Sequence, residues 1–330
     1  MRWACVLLVA GCAARPGGET RGAALWFGGD VHLGARGEGV LAALPGLTGG
    51  EPVVVNLEGP VGDGAASAAP ERLVNAVGVP ALLAKAGVRV AGVENNHALD
   101  IGEAGREATK QALNAAGVTP SGPVRRTVWP ARPPTDGQQG AGGGGSLLEL
   151  AEAPPSHAET ALLRVGALPL AVVSIDLARG IPAHHVFELR AALPPSGALV
   201  VAFHVTGPLS YLPTGELELA VEFALQAGAT VIVAHGTHAP ARVERRGRAV
   251  IAWGLGNLAF DCPCTDERDG LLLRVELAAD GAVTRATVVP VDAGLHGAPL
   301  RPAANAGLAL DLLESLESSP LRRSTDRADF

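Results

Sequence analysis

Short apolar runs alternate with amphipathic segments along this 330-residue chain, and this alternation limits its fold more than any other feature. The runs are rich in leucine and β-branched residues, which is typical of buried strands. Strands are predicted at 24–27, 52–55, 88–93, 161–175, 198–203, 230–234, 249–253, 271–277 and 282–291, and helices at 79–86, 103–116 and 216–227. The alternation indicates an α/β layered fold, and the last strands, which no helix separates, suggest an antiparallel second half.

The segments outside this pattern set the predicted domain boundaries. One domain is predicted over 24–305, interrupted at 121–158 by a segment with several prolines and a glycine run, which we interpret as a surface insertion. Residues 306–330 are predicted to form an amphipathic helix at 308–316 and then a polar, disordered tail.

The first eleven residues are typical of an export signal. One arginine precedes an apolar run that is too short to span a bilayer, and the sequence VAGC at 9–12 resembles a bacterial lipoprotein lipobox. Residues 1–11 would then be removed, Cys12 would be lipidated, and 12–23 would form a tether to the cell membrane or the outer membrane, because several acyl chains anchor a protein stably. The alternative is a plain secretory signal with an incidental cysteine.

Charge and cysteine content narrow the classes of partner. A net charge of −7 argues against nucleic-acid binding, which needs clustered basic side chains. The arginines at 242, 245, 246 and 248 either contact an anionic polymer or belong to a solvated hairpin, and we favour the hairpin. Cys262 and Cys264 are interpreted as a structural loop pair rather than a redox or metal site.

Side chains that can bind metal ions lie at the carboxyl ends of the predicted strands. The carboxyl ends of parallel strands share one edge of a sheet, so these side chains are expected to converge. A single histidine after a strand is weak evidence, but the same placement at five strand ends predicts a metal site. The residues are Asp30, His32, Glu58, Asn96, His97, His204, His235 and His238.

Several sequence blocks occur in the order seen in a known family. They are GD at 29–30, NLEGP at 56–60, NNHALDIG at 95–102, a histidine at 204, HGTH at 235–238 and LGN at 255–257. Over about 24–262 the chain resembles the CapA family of capsule-synthesis or poly-γ-glutamate biosynthesis proteins, which is similar to calcineurin-like metallophosphoesterases.

The resemblance implies a four-layer α/β/β/α sandwich with two metal ions at one edge. By position, Asp30, His32 and His238 would hold the first ion and Asn96, His204 and His235 the second, with Glu58 as the bridging carboxylate. His97 would be the catalytic histidine, oriented by Asp100. Mixed imidazole, carboxylate and amide ligands suit Mn, Fe or Zn as divalent ions.

The departures from the family pattern affect residues expected to contact the substrate more than they affect the expected metal ligands. Many CapA-like sequences have methionine at the position of His32. With a histidine there, the chain is closer to the phosphoesterase pattern. The block that normally reads HWGxE is HVTGPL at 204–209, and Gly236 replaces the middle histidine of GHHPH.

Three functions are therefore open. The first is a metal-dependent hydrolase of a phosphoester, a γ-glutamyl bond or another envelope polymer, linked to capsule or poly-γ-glutamate biosynthesis. The second is a non-catalytic, lipid-anchored protein that binds or exports an anionic capsule polymer, with capsule-synthesis membrane proteins as partners. The third is a general secreted phosphoesterase resembling nucleotidases.

Overall fold

The computed structural model describes residues 23–35, 37–63, 72–123, 160–179, 185–207, 209–318, 320 and 322–330. The predicted export signal, Cys12 and most of the predicted insertion lie outside these residues, so the signal, the lipidation of Cys12 and the insertion stay predictions. The predicted tether is one residue too long, because Ala23 already belongs to the first strand.

The described chain contains strands and helices in the alternation that the sequence predicts. The strands are β1 Ala23–His32, β2 Val53–Leu57, β3 Val88–Gly92, β4 Thr119–Ser121, β5 Ala161–Val165, β6 Leu168–Asp176, β7 Ala198–His204, β8 Val231–His235, β9 Val243–Arg246, β10 Ala249–Ala252, β11 Asn257–Phe260, β12 Asp269–Leu277, β13 Val283–Asp292, β14 Gly294–Leu295, β15 Arg301–Pro302, β16 Arg322–Arg323 and β17 Ala328–Asp329. The α-helices are α1 Leu44–Leu47, α2 Val79–Lys85, α3 Gly102–Ala115, α4 His185–Ala192, α5 Gly215–Ala227 and α6 Ala306–Ser315.

These strands form two sheets. The first has the order β16-β17-β13-β12-β1-β2-β3-β4, with β11 paired to the end of β1, and β14 and β15 paired to β11 and β13. The second has the order β5-β6-β7-β8-β10-β9. Strands β1 to β4 run parallel, as do β6, β7, β8 and β10, whereas β12 and β13 form the expected antiparallel pair. The antiparallel strands extend the first sheet beside β1 rather than forming a separate half.

Hydrophobic clusters define four layers. Phe27 and Leu273 of the first sheet and Val200 and Val233 of the second lie in one core between the sheets. The outer face of the first sheet packs against α1, α2 and α3, and the outer face of the second packs against α4 and α5. The chain therefore has the α/β/β/α sandwich that was expected, and burial of these apolar faces on both sides of each sheet holds the layers together.

Local sequence signals explain where the elements end. Thr214 caps the N-terminus of α5, because its Oγ1 accepts a hydrogen bond from the Leu217 amide. Gly228 follows the last residue of the helix in a left-handed conformation with φ +95°. The run predicted as one strand at 161–175 is a hairpin instead. Gly166 divides it at φ +61°, a turn conformation that side chains other than glycine disfavour.

The sheets are also hydrogen-bonded to each other at one edge. Ser121 of β4 donates to the Val172 carbonyl of β6 over 2.8 Å, and Ser174 of β6 donates to the Ser121 hydroxyl over 3.1 Å. The amide of Ser174 also donates to the Gly122 carbonyl over 3.0 Å. The β4 edge of the first sheet is therefore joined to the second sheet.

The prediction of a disordered C-terminal tail is wrong. After α6, which matches the predicted helix within two residues, β16 pairs with β17 and β17 pairs with β13. Ala328 and Phe330 are each 2% exposed. The tail looks polar because alternate residues of an edge strand face solvent, while the other residues pack into the core.

The arginine run belongs to the predicted hairpin. Strands β9 and β10 pair in antiparallel orientation, and Arg246 forms an ion pair with Glu222. The guanidinium of Arg242 lies 4.8 Å from the ring centroid of Trp253, and Arg248 contacts Asp280 over 3.0 Å. Within the described residues, no helix is sufficiently long and apolar to cross a bilayer.

Candidate metal centre

Asp30 is the fully buried centre of the site because it lies within β1, between two strands that run parallel to it. It pairs in register with Asn56 of β2 and with Asn257 of β11. Parallel neighbours on both sides bring side chains from distant parts of the chain to the same strand ends. The carboxylate is therefore positioned by backbone register rather than by a flexible loop.

The contacts of Asp30 favour its ionised form. Its Oδ1 accepts a hydrogen bond from Asn56 Nδ2 over 2.9 Å, and its Oδ2 accepts one from the Gly236 amide over 2.9 Å. Burial alone would raise its pKa, but the nearby histidines, His235 first among them, lower the pKa well below its usual range. The Nδ1 atoms of His235 and His238 lie 3.5 and 3.7 Å from its carboxylate oxygens.

Glu58, which directly follows β2, is a buried carboxyl group without full hydrogen bonding. It is 1% exposed, and its Oε2 has no hydrogen-bond partner. Burial, with added repulsion from Asp30 and Asp100, raises its pKa well above its usual value. Glu58, Asp30 and His238 present ligand atoms that all lie within 4.8 Å of one another. A buried carboxyl group with an unsatisfied oxygen costs free energy that a bound cation would offset.

Two buried histidines of the site, His32 and His204, are held neutral. Burial lowers the pKa of His32 to about 4 and that of His204 to about 3. His32 Nδ1 lies 3.3 Å from the Glu58 carbonyl oxygen, and His204 Nε2 lies 2.7 Å from Asn96 Oδ1. A neutral imidazole retains the lone pair that binds a metal ion, so burial prepares these rings as ligands.

His235 is suited to bind a metal ion for a different reason. It ends β8 directly opposite His204 of β7, and it is 3% exposed. Its Nδ1 has no hydrogen-bond partner, although Asp30 Oδ1 lies at 3.5 Å. A buried ring nitrogen that faces a carboxylate without a hydrogen bond is available to a cation between them.

His97 is held at the border between the centre and solvent. Its Nδ1 lies 2.8 Å from Asp100 Oδ2, which also accepts a hydrogen bond from the Leu73 amide over 2.7 Å. Its Nε2 lies 4.0 Å from Glu58 Oε1, and the side chain is 22% exposed. Asp100 therefore orients the His97 ring so that its Nε2 faces Glu58.

Three buried asparagines of the site were not among the predicted site residues. Asn56 Nδ2 joins Asp30 to His204, whose Nδ1 lies 3.3 Å away. Asn95 donates to the Leu57 carbonyl and to Asn56 Oδ1. Asn257 Oδ1 lies 3.0 Å from His238 Nδ1. All three stand inside the sequence blocks of the family, and that location was the only available signal.

His238 adopts a backbone conformation that is uncommon for histidine. Its φ is +54°, in the left-handed region. The hydrogen bond with Asn257 and an edge contact with Phe260, whose ring centroid lies 4.9 Å away, hold the ring in place. Local strain that the surroundings hold in this way is typical of functional sites.

The predicted site residues meet in one network of contacts. The predicted convergence is thus present, although the assignment of individual ligands to two ions stays a prediction. The residues joined by the contacts above are Asp30, His32, Glu58, Asn96, His97, Asp100, His204, His235 and His238.

A cleft of about 660 Å³ opens onto this network. Glu58, His97, His204 and His238 lie along it. Two loops also line the cleft, one after β7 and one before β12, and the second contains a disulfide between Cys262 and Cys264. The interpretation of these cysteines as a structural loop pair fits this bond.

The family to which the chain belongs follows from its sequence. The family described as bacterial capsule synthesis protein PGA_cap matches residues 25–262, which is most of the chain. The chain belongs to this family. The match contains every predicted ligand and both residues of the His97–Asp100 pair. No curated protein matches the chain.

Solved structures similar to this capsule-synthesis family member are distant in sequence. A hypothetical protein from Thermus thermophilus is 16% identical with a TM-score of 0.46, covering 85% of this chain and 98% of that chain. A putative 5′-nucleotidase from Staphylococcus aureus, in complex with α-ketoglutarate, is 12% identical with a TM-score of 0.43. A 5′-nucleotidase precursor, also from Thermus thermophilus, is 14% identical with a TM-score of 0.47. Each nucleotidase match covers 89% of this chain and 58% of the nucleotidase.

Proposed function

We propose that this protein is a metal-dependent hydrolase of the bacterial envelope that works in capsule biosynthesis. The observation that carries the proposal is the pair of buried ligand atoms without hydrogen-bond partners, Glu58 Oε2 and His235 Nδ1, both near the ionised Asp30. These atoms fit a cation, because a site without one would leave them desolvated and unsatisfied.

The residues divide into two ligand sets around one bridging carboxylate. Asp30, His32 and His238 would hold one divalent ion, and Glu58 would contact both ions. The second set is Asn96, His204 and His235. Imidazoles together with carboxylate and amide oxygens favour Mn, Fe or Zn.

The chemistry then depends on residues that are already in position. Two bound ions would supply a water of lowered pKa and a positive clamp for the oxygens of the attacked group. His97 would donate a proton from Nε2 to the leaving group, since its Nδ1 is held by Asp100. Asn56 and Asn257 would keep the ligands Asp30 and His238 in place.

The family and the sequence support a proposal for substrate and location. The substrate would be a phosphoester, a γ-glutamyl bond or another bond of an envelope polymer, with capsule-synthesis membrane proteins as partners. Lipidation at Cys12 would anchor the exported protein to the cell membrane or the outer membrane. The family match supports the link to capsule biosynthesis, and the lipobox at 9–12 supports the anchor.

The test combines metal content with turnover. We expect bound transition metal in the reconstituted protein, together with hydrolysis of members of a panel of phosphomonoesters and γ-glutamyl amides. Asp30→Asn should lose both metal and activity, whereas His97→Asn should keep the metal and lose activity. Absence of metal after reconstitution would contradict the proposal. If Asp30→Asn still supports full capsule production in cells, the non-catalytic, polymer-binding function would be favoured.

A further inference from the structure

An ion pair that the proposed mechanism does not use joins the loop after β3 to helix α3. Its partners are Glu94 and Arg106, and both lie outside the sequence blocks that carry the family resemblance. We propose that the two are positioning residues, whose contact holds Asn96 and His97 at the metal centre. The proposal rests on the proposed hydrolase function and extends it to residues that are not ligands.

Both partners of the ion pair are almost completely buried. Glu94 is 4% exposed and Arg106 is 7% exposed, and Nη1 of Arg106 donates to Oε1 of Glu94. Arg106 Nε also donates to Glu103 Oε1 over 3.1 Å, which fixes the guanidinium group on its own helix. The desolvation of two buried charges can cost as much as their attraction provides, so such a pair contributes little net stability. What the pair does impose is one arrangement of the loop, because that arrangement satisfies both charges.

The contact closes a loop of the chain that contains three predicted site residues. Glu94 directly precedes this segment and Arg106 directly follows it, so residues 95–105 are held at both ends. A contact between the ends of a short loop reduces the number of conformations open to the residues between them. The pair therefore acts on all three side chains at once. The site residues in the segment are Asn96, His97 and Asp100.

Tight turns form the segment between Glu94 and α3. Strand β3 ends two residues before Glu94, and three amides in the segment each donate to the carbonyl three residues earlier. These three turn amides belong to Ala98, Asp100 and Gly102, and their donor–acceptor distances are 3.0, 3.0 and 2.8 Å. Short turns open locally at little cost, so a contact that fixes their ends has a large effect on them.

The same segment is packed against predicted ligands. Asn96 Oδ1 lies 2.7 Å from His204 Nε2, and Glu94 borders a narrow internal cavity together with His204 and His235. The cavity is too small to hold a water molecule, so solvent cannot absorb a shift of the surrounding atoms. A displacement of Glu94 is therefore passed on to Asn96 and to both histidines.

The first experiment removes both charges and fills their space with apolar side chains. The metal-free double variant Glu94→Leu/Arg106→Met should unfold at a urea concentration close to that of the wild type. Hydrogen exchange at the three turn amides should nevertheless be about tenfold faster, as the loss of one buried contact provides. The control is Glu51→Leu/Arg274→Met, which removes an ion pair that encloses no part of this segment. It should leave exchange at the three turn amides unchanged.

The second experiment measures the affinity of the same proteins for Zn²⁺ by competition with a chelator. Glu94→Leu/Arg106→Met should bind Zn²⁺ about 10- to 100-fold more weakly than the wild type, because contacts that orient ligands act on metal affinity at this scale. The control variant should bind Zn²⁺ as the wild type does. Arg106→Lys, which keeps the charge but loses the Nε donor to Glu103, should give intermediate exchange and affinity. If the double variant does not fold, wild-type values in Arg106→Lys would overturn the proposal.

The two experiments separate this proposal from the hydrolase proposal. Wild-type exchange rates, or wild-type Zn²⁺ affinity, in the folded double variant would overturn the positioning role. Faster exchange that extends to β2 and β3 would also overturn it, because the ion pair would then stabilise the whole domain. A wild-type protein that binds Zn²⁺ but hydrolyses no ester or amide would contradict the hydrolase proposal alone. If the wild type binds no metal, the hydrolase proposal fails, and the exchange comparison still decides the role of the ion pair.

Discussion

The floor and the outer wall of the cleft are built in opposite ways. The floor contains His204, which lines the cleft, together with its neighbours Asp30 and His235. These residues lie within or at the ends of strands and are almost completely buried. The wall consists of loops, and its residues Leu209 and Asp266 are exposed. Strand register fixes the reacting groups, while loops present the surface that selects a substrate. The two can therefore change independently, except where Asn257 connects His238 to the Glu267 carbonyl.

The largest expected effect concerns His97, at the border between floor and wall. His97→Asn should lower turnover by about 10²- to 10⁴-fold, because the variant lacks the group that protonates the leaving atom. Metal content, measured by elemental analysis, should not change. Loss of metal in this variant would place His97 in the floor as a ligand.

Asn257 tests the connection between floor and wall. Asn257→Ala should weaken metal binding by about 10- to 100-fold, because the partner of His238 Nδ1 is lost. Competition with a chelator would measure this change. The exposed Asn114 of α3 provides a matched control, since Asn114→Ala should leave metal affinity unchanged. Equal effects in the two variants would contradict the orienting role of Asn257.

Glu58 should affect stability in opposite directions with and without metal. In the metal-free protein, Glu58→Gln should raise the free energy of unfolding by about 1–3 kcal/mol, because burial forces the Glu58 carboxylate to take up a proton on folding and an amide carries no charge to neutralise. In the metal-loaded protein the same change should lower that free energy, since a ligand is lost. Urea titration of both forms would measure the difference. Destabilisation of the metal-free variant would contradict this account of Glu58.

The smallest effect is expected at Tyr211, whose hydroxyl donates a hydrogen bond to Glu267 Oε2 and so connects only the two loops. Tyr211→Phe should reduce the free energy of unfolding by about 0.5–1.5 kcal/mol, because one hydrogen bond is removed. Substrate preference should change severalfold while metal content stays constant. If metal content instead falls as much as in Asn257→Ala, the floor and the wall are not separable.

The sequence was informative where position along a strand decides the structure. Asp30, Glu58 and His204 could be predicted as neighbours because each lies at the carboxyl end of an apolar run, and parallel strands place such ends together. β11 was missed because its four residues are too few for a strand pattern, and it begins with the polar Asn257. The tail around Phe330 was misinterpreted because an edge strand alternates polar and apolar residues.

The wall could not have been predicted in the same way. The hydrogen bond between Tyr211 and Glu267 joins residues 56 positions apart, in loops without a periodic pattern. Asn56 and Asn257 were visible as parts of motifs, but their partners depend on strand pairs that the sequence does not specify. Tertiary contacts between loops and amides therefore account for most of what sequence reasoning missed.

The arginine hairpin has a consequence for solubility. β9 forms one edge of the second sheet, where backbone groups would be able to pair with another molecule. Its residues Glu244, Arg245 and Arg246 place charges along that edge, a device that discourages intermolecular strand addition. On the first sheet, the serine contacts between β4 and β6 cover the corresponding edge. Replacing these arginines with apolar residues would favour aggregation, because strands of other molecules could then pair with β9.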